Sequence, residues 1–183
     1  AVDEAFAKST VENARKKMKF DADDIILVYS GSTAGWQSFD LLQGFFHIFI
    51  NNNKNIKVLF LSEKDKNVDQ LKAEFPDKIF QTFVKHSEVS GILKSCDIGI
   101  LIREKSVTNQ VASPTKFAEY LSAGLPVIIS EGIGDYTSFV KQNDCGWVLD
   151  ESPLQMNRLN ISERNRLLQL VNDHFTKKSH NAS

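Results

Sequence analysis

Short apolar runs alternate with stretches of helical periodicity along most of the chain. Runs of this length, bounded by polar and turn-forming residues, predict β-strands, and the periodic stretches between them predict helices. We expect strands at IILVYS (25–30), IKVLFL (56–61), KIFQTF (78–83), DIGILI (97–102), PVIIS (126–130) and GWVLD (146–150). We expect helices near residues 36–50, 65–75, 87–95, 114–123 and 134–142, with a leading helix at 3–19 and a trailing helix at 162–177. This alternation is typical of strand–helix units that build a parallel sheet.

The strands themselves indicate how the sheet is covered. Segments such as IILV and GILI are apolar at every position, as expected when helices pack against both faces of a sheet. We therefore predict an α/β fold, a doubly wound, Rossmann-like parallel sheet of about six strands with helices on both faces. The domain is expected at residues 21–160, with a helix at 1–20 before it and a C-terminal helix and tail at 161–183. In such sheets ligands bind beyond the carboxyl ends of the strands, near the point where the strand order reverses.

Composition and charge narrow the classes of partner. The chain has 183 residues, 42% hydrophobic and 25% charged, with a formal net charge of −1, which fits a soluble globular domain. This balance gives no clustered basic face for nucleic acid or for an anionic membrane. The one basic run, Arg15-Lys16-Lys17-Met18-Lys19, is predicted to be a solvated helix face. No apolar run reaches the ~20 residues that a transmembrane helix needs, and the N-terminus does not resemble a signal peptide.

The two cysteines, Cys96 and Cys145, are far apart in the sequence and have neither CxxC nor Cys/His spacing. We expect two small, buried, reduced thiols rather than a structural zinc site. This use of cysteine is typical of a reducing compartment.

Three turns that follow predicted strands carry candidate ligand groups. The turn Gly31-Ser32-Thr33-Ala34-Gly35 follows the first strand, Arg103 follows the fourth, and Glu131-Gly132-Ile133-Gly134-Asp135 follows the fifth. Small residues let backbone N–H groups approach an anion at a helix N-terminus, and an arginine can bind a phosphate with two hydrogen bonds. Each feature has a structural alternative, because glycine-rich turns also serve backbone geometry and Arg103 can pair with Glu104. Together, at one edge of a sheet, the turns predict a nucleotide-sized cleft.

The segment SPTKFAEYLSAGLPVIIS (113–130) combines clear helix boundaries with a charged pair. Ser113 suits the N-cap and Pro114 the first helical position. Lys116 and Glu119 then fall on one face of the helix. The pair is either a solvated ion pair worth a few tenths of a kcal/mol, or part of an anion site at the helix start in which Glu119 accepts hydrogen bonds from a diol such as ribose.

SPTKFAEYLSAGLPVI and the GIGD that follows resemble the donor-binding signature of retaining GT-B glycosyltransferases, in particular the large family four. YSGSTAGWQSFDLLQGF resembles that family's first loop and helix, FVKHSEVSGILKSCDIGILI its segment that ends in an aspartate before a strand, and GWVLD its last strand. The resemblance implies two Rossmann-like domains with the active site between them. This chain resembles the C-terminal half, which binds the sugar nucleotide. Residues 1–20 resemble the connection from a missing N-terminal domain that supplies most acceptor contacts.

The resemblance also implies roles for individual residues. Glu119 matches the second glutamate of the family's Glu-x7-Glu motif and would hold the ribose hydroxyls. The residues implied to contact the diphosphate or the sugar are Gly31, Ser32, Ser113, Pro114, Thr115 and Lys116. The residues whose backbone would meet the base are Val84, Lys85 and His86. The turn residues predicted to complete the cleft are Gly132, Gly134 and Asp135.

Two positions depart from the family's pattern. Val111 stands where the first glutamate of the motif is expected, which leaves the contacts of the hexose undefined. Trp36-Gln37 stands where a basic residue is expected, so Arg103 becomes the arginine candidate for phosphate.

The implied reaction transfers a glycosyl group from a nucleotide sugar with retention of anomeric configuration. It requires electrostatic stabilisation of the departing diphosphate, and Lys116, Glu119 and Arg103 are the candidate catalytic residues. The turns predicted to form the cleft carry no acidic metal cluster such as Asp-x-Asp, so we expect neither a metal nor another cofactor. His86 and His47 are poor candidates for a catalytic base, and His47, among the apolar residues of a helix, is expected to be packed.

The sequence therefore predicts the nucleotide-sugar-binding domain of a glycosyltransferase of the hexosyltransferase type, inactive alone, with a glycan or lipid-linked acceptor. The alternatives are a sugar-nucleotide epimerase of the same architecture and a stand-alone nucleotide-binding regulatory module. The family-level expectation is bacterial polysaccharide biosynthesis in the cytoplasm, at the inner membrane face through the missing half, without nucleic acid.

Overall fold

The computed structural model describes residues 15–31, 39–104, 115–149 and 154–175. The strands are β1 (Ile25–Ser30), β2 (Ile56–Leu61), β3 (Ile79–Thr82), β4 (Ile98–Leu101), β5 (Val127–Ser130) and β6 (Gly146–Leu149). The helices are α1 (Phe39–Asn52), α2 (Lys66–Glu74), α3 (His86–Lys94), α4 (Thr115–Ser122), α5 (Tyr136–Asn143) and α6 (Ile161–Phe175). Residues 15–17 are also helical, at the position of the predicted leading helix.

The strands form one parallel sheet of six in the order β3-β2-β1-β4-β5-β6. The prediction of a doubly wound, Rossmann-like α/β fold is confirmed. Strands β1 and β2 match their predicted ranges residue for residue, whereas β3, β4 and β5 are shorter than the apolar runs that contain them. The order reverses between β1 and β4, so this pair marks the place where a doubly wound sheet binds its ligand.

The core has a layer on each face of the sheet. In β1 the side chains alternate between them, because Ile26 and Val28 join one buried cluster and Leu27 joins the other. Helices α3 to α6 contribute to the first cluster, which includes Phe117, and helices α1 and α2 contribute to the second, which includes Phe46. Helices therefore cover both faces, as the all-apolar strands predicted.

Arg15 is buried, and the prediction of a solvated face for the whole basic run is wrong at this position. Its exposed fraction is 5%, while Lys16, Lys17 and Lys19 are exposed as predicted. The guanidinium donates hydrogen bonds to the backbone carbonyls of Ser95, Asp21 and Asp24. The charge pattern could not distinguish this residue from its neighbours, because its partners come from distant parts of the sequence.

The main partner of Arg15 is Asp97, a fully buried carboxylate directly before β4. Asp97 also accepts hydrogen bonds from Arg158 at 3.0 Å, from Arg164 at 3.1 Å and from the N–H of Ile26 at 2.9 Å. Burial lowers the pKa of the Arg164 guanidinium below its ordinary value. These contacts join segments at both ends of the described chain to the start of β4. We call Asp97 and its three arginines the Asp97 cluster.

His47 lies on the outer surface of α1, and the expectation that it is packed is wrong. Its side chain is 43% exposed and forms an ion pair with Glu74 at 2.7 Å. The ring meets Phe75 edge to face, with centroids 5.1 Å apart. Phe45, Phe46 and Phe49 are buried, whereas Ile48 is 62% exposed, so His47 and Ile48 lie on the side of the helix away from the core.

Cys96 and Cys145 are buried and free, as predicted. Burial raises the pKa of the Cys145 thiol to about 11 and raises the pKa of the Cys96 thiol further. Both groups are therefore protonated at neutral pH. Across the described ranges, no helix is long and apolar enough to cross a bilayer.

Candidate functional site

The described residues of the predicted ligand turns lie at the carboxyl edge of the sheet. Gly31 follows β1 directly, Arg103 lies just beyond β4, and Glu131 follows β5. Because the strands are parallel, their carboxyl ends lie at the same edge, and the N-terminus of α4 opens there between β4 and β5 in the chain. This arrangement places the described candidates on three neighbouring strands, on both sides of the point where the order reverses.

Ser130, the last residue of β5, links two of these turns. Its hydroxyl accepts a hydrogen bond from the N–H of Arg103 at 2.8 Å. Sequence reasoning missed this residue, because its partner is 27 positions away in the sequence. The link fixes the backbone of Arg103, whose half-buried side chain begins at that edge.

The turn after β5 is held by Thr137, in the first helical turn of α5. The Thr137 hydroxyl accepts a hydrogen bond from the N–H of Ile133 and donates one to the carbonyl of Ser130, each at 3.1 Å. Gly132 and Gly134 have φ angles of +77° and +47°, a region that side chains disfavour. Asp135 is exposed and makes no cap hydrogen bond through its side chain. The turn is therefore shaped by its glycines and by Thr137.

Lys116 and Glu119 form an ion pair on α4, with Nζ and Oε2 2.7 Å apart. Their side chains are 25% and 30% exposed, so both groups keep access to solvent. The ion pair that the spacing predicted is present. The pair places a cation and an anion in the first two turns of α4, which begins at Thr115.

Tyr120, next to Glu119, connects α4 to the sheet. Its hydroxyl accepts a hydrogen bond from the N–H of Ser30 at 2.9 Å and donates one to the carbonyl of Ile100 at 3.3 Å. The ring is fully buried over Gly99, whose added Cβ would lie 2.4 Å from a ring carbon. Sequence reasoning missed this residue, although a glycine inside a buried strand signals the close approach of another group.

The turn before α3 is the predicted base-contacting segment. Val84 is half-buried, while Lys85 and His86 are exposed. The N–H of Lys85 donates a hydrogen bond to the Glu88 carboxylate at 3.1 Å, so this amide is engaged by the helix start. Phe83, not singled out by the sequence analysis, precedes the segment with a ring that is 67% exposed.

Several candidates lie outside the described residues. They are Ser32, Ser113 and Pro114, together with the departures at Trp36-Gln37 and Val111. Among the described residues, no three His, Cys, Asp or Glu side chains are grouped as ligands of a metal ion would be.

A cavity of about 1210 Å³ lies away from this edge, against the Asp97 cluster. Its walls include Phe20, Leu159 and Leu168 beside Arg158 and Arg164. It lies next to the start of β4 and the end of α4, so it is separate from the carboxyl-edge candidates.

Solved structures share this fold at low sequence identity. The C-terminal domain of a glycosyl transferase group 1 family protein (LpcC) from Francisella tularensis matches with a TM-score of 0.62 and 13% identity, over 90% of this chain and 92% of that one. WaaG, a glycosyltransferase involved in lipopolysaccharide biosynthesis, matches with a TM-score of 0.58 and 16% identity, over 88% of this chain. The C-terminal CMP-Kdo binding domain of WaaA from Acinetobacter baumannii matches with a TM-score of 0.51 and 7% identity, over 93% of this chain and 87% of that one.

The chain spans 40% of WaaG and 31% of the matched chain in the GtfA/B complex. A comparison with curated protein sequences gives no match. Residues 10–161 match the family of glycosyl transferases group 1, which is most of the chain. The sheet order and the matched C-terminal domains correspond to one half of a GT-B fold. The chain therefore belongs to the glycosyl transferases group 1 family.

Proposed function

We propose that this chain binds the nucleotide-sugar donor of a retaining glycosyltransferase of the hexosyltransferase type. The observation that carries the proposal is the Lys116–Glu119 pair near the start of α4, at the edge where the strand order reverses. A helix start attracts an anion, and the adjacent carboxylate accepts hydrogen bonds from a diol. A nucleoside diphosphate carries both an anion and a diol.

The proposed pose places the diphosphate near the N–H groups at the start of α4, between Gly31 and the turn at Gly132 and Gly134. Glu119 would accept hydrogen bonds from the ribose hydroxyls. Lys116, held against Glu119 at 2.7 Å, would turn its remaining N–H donors to the diphosphate. The base would lie at the turn of residues 84–86, through backbone groups other than the Lys85 N–H that Glu88 engages.

Bond cleavage at the anomeric carbon leaves negative charge on the diphosphate. Preorganised cations and helix N–H groups stabilise such charge without a cost of reorganisation. Lys116 and the α4 N-terminus supply this stabilisation in our proposal, and Arg103 adds to it because Ser130 fixes its backbone at the same edge. No step in this scheme uses a metal ion.

The acceptor in this proposal is a glycan or a lipid-linked sugar, held by an N-terminal domain outside this chain. WaaG, which is named as an enzyme of lipopolysaccharide biosynthesis, supports a bacterial surface glycan as the product class. The reaction would then take place in the cytoplasm, at the inner membrane face. This chain alone would bind donor without transferring the sugar.

Isothermal titration with UDP, GDP and ADP tests the proposal. We expect one of them to bind with a Kd below about 1 mM. We expect Glu119→Gln to weaken that binding about tenfold, because a neutral amide accepts weaker hydrogen bonds from the ribose hydroxyls than the carboxylate does. Glu74→Gln is the matched control, because Glu74 is 34% exposed and also forms a 2.7 Å ion pair, on the surface with His47. Absence of binding by all three nucleotides at millimolar concentration would contradict the proposal and favour a role without nucleotide.

A further inference from the structure

The hydrogen-bonded pairing of β1 with β4 stops before the two strands end. The paired residues are Leu27 with Ile98 and Val28 with Gly99, although β1 continues to Ser30 and β4 to Leu101. By contrast, the pairing of β1 with β2 extends to Ser30 and Leu61. The interruption therefore lies only on the β4 side of β1, where the strand order reverses.

The Tyr120 hydroxyl occupies the place of the next ladder hydrogen bond. If the register of β1 and β4 continued, the N–H of Ser30 would donate to the carbonyl of Ile100. Instead, the hydroxyl accepts from Ser30 at 2.9 Å and donates to Ile100 at 3.3 Å. Both backbone groups stay satisfied while the strands are held apart by one oxygen atom.

The position of this hydroxyl is fixed by packing. The Tyr120 ring is completely buried and lies over Gly99, where a Cβ would come within 2.4 Å of it. Burial raises the pKa of Tyr120 well above its ordinary value, so the hydroxyl stays protonated and can donate and accept at once. Tyr120 also follows Glu119 directly in the sequence. The helix α4 therefore carries both the hydroxyl that lies between the strands and the carboxylate of the proposed site.

We infer that Tyr120 is a positioning residue of the donor site: its hydroxyl keeps the carboxyl ends of β1 and β4 apart and fixes the position of Ser30 and Gly31 relative to Glu119. The inference rests on the proposed function, because it assigns the opened crevice to the diphosphate of the nucleotide. Doubly wound sheets bind ligands in the crevice at this switch point. Removal of the hydroxyl lets the N–H of Ser30 approach the carbonyl of Ile100 directly, which narrows the crevice.

Tyr120→Phe tests the inference, because it keeps the ring over Gly99 and removes only the hydroxyl. The wild-type chain is titrated first with UDP, GDP and ADP, and the variant is then titrated with the nucleotide that binds best, at a temperature where circular dichroism reports both as folded. We expect the Kd to rise about tenfold, because misplacement of binding groups by about 1 Å weakens their combined action. Amide exchange at Ser30, measured by NMR, should change in the same variant.

Val68→Ala serves as the stability control, since Val68 is fully buried in the other core layer. It should lower the melting temperature and leave the Kd within twofold, about the error of such comparisons. The inference is overturned if Tyr120→Phe binds as tightly as the wild type, or if Val68→Ala loses as much affinity. If the wild-type chain binds none of the nucleotides, the proposed function itself is refuted. This outcome differs from failure of the Tyr120 assignment, in which the wild type binds a nucleotide and the variant binds it equally well.

Discussion

Asp97 accepts a hydrogen bond from the guanidinium of Arg15 at 3.0 Å, although the two residues are 82 positions apart in the sequence. Both side chains are buried, with 0% and 6% of their surfaces exposed. Arg158 and Arg164 reach the other carboxylate oxygen from the C-terminal side. One carboxylate therefore pairs with three guanidinium groups, and its removal leaves the buried charge of Arg15 without a carboxylate partner.

We predict that Asp97→Asn lowers the free energy of unfolding by about 3–5 kcal/mol, the usual cost of breaking a buried ion pair from one side. Urea denaturation followed by circular dichroism measures the change. Glu74→Gln, which breaks an ion pair on the surface, should cost less than about 1 kcal/mol. Equal effects of the two variants would show that the Asp97 cluster is solvated in solution.

Glu119→Ala should change the stability little, because it breaks an i,i+3 ion pair whose side chains keep 25% and 30% exposure. We expect a loss of less than about 0.5 kcal/mol in the same denaturation experiment. Nucleotide affinity should fall nonetheless. A large stability loss without an affinity change would indicate that the pair serves only the fold.

Gly99→Ala should destabilise the domain by about 1–3 kcal/mol, because the new Cβ would overlap the Tyr120 ring. Tyr120→Ala removes the ring and with it the clash. In a double-mutant cycle, the two substitutions together should therefore cost less than the sum of their separate effects. Additive effects would contradict the contact.

The stability should fall with rising pH between about 9 and 11. The pKa of Cys145 is near 9 when the thiol is free and is raised to about 11 by burial. In this window the unfolded chain loses the proton while the folded chain keeps it, so alkali favours unfolding. Melting temperatures of the wild type and of Cys145→Ser, recorded across this range, measure the effect. The variant should have a shallower decline, and parallel curves would exclude Cys145 as a source.

The sheet and its helices could be predicted because their signals are local. An apolar run of strand length predicts a strand, and a stretch of helical periodicity predicts a helix, without information from distant residues. The strands β1 and β2 match their predicted ranges fully. The ends of β4 and β5 were less well predicted, because the end of a strand depends on its neighbour. At β4 the flanking Asp97 binds arginines rather than extending the strand.

The errors concern residues whose surroundings come from distant segments. Arg15 has the sequence context of a surface residue, and only the fold brings Asp97 to it. His47 has the context of a buried residue, yet its helix position faces Glu74. In the candidate site, the motif predicted the Lys116–Glu119 ion pair, which is present, whereas their role in binding stays a prediction. The motif gave no indication of the Tyr120 hydroxyl, because that contact requires the register of two strands.

Gly99 and Tyr120 also constrain how this sequence can diverge. A side chain on the strand and an aromatic ring on the helix would occupy the same volume, so Gly99 cannot gain a side chain while Tyr120 is kept. In descendants of this chain, loss of the glycine should be accompanied by a smaller residue on the helix. Positions 99 and 120 are then expected to change together. Their identities in a related protein indicate whether its β1 and β4 are separated at their carboxyl ends.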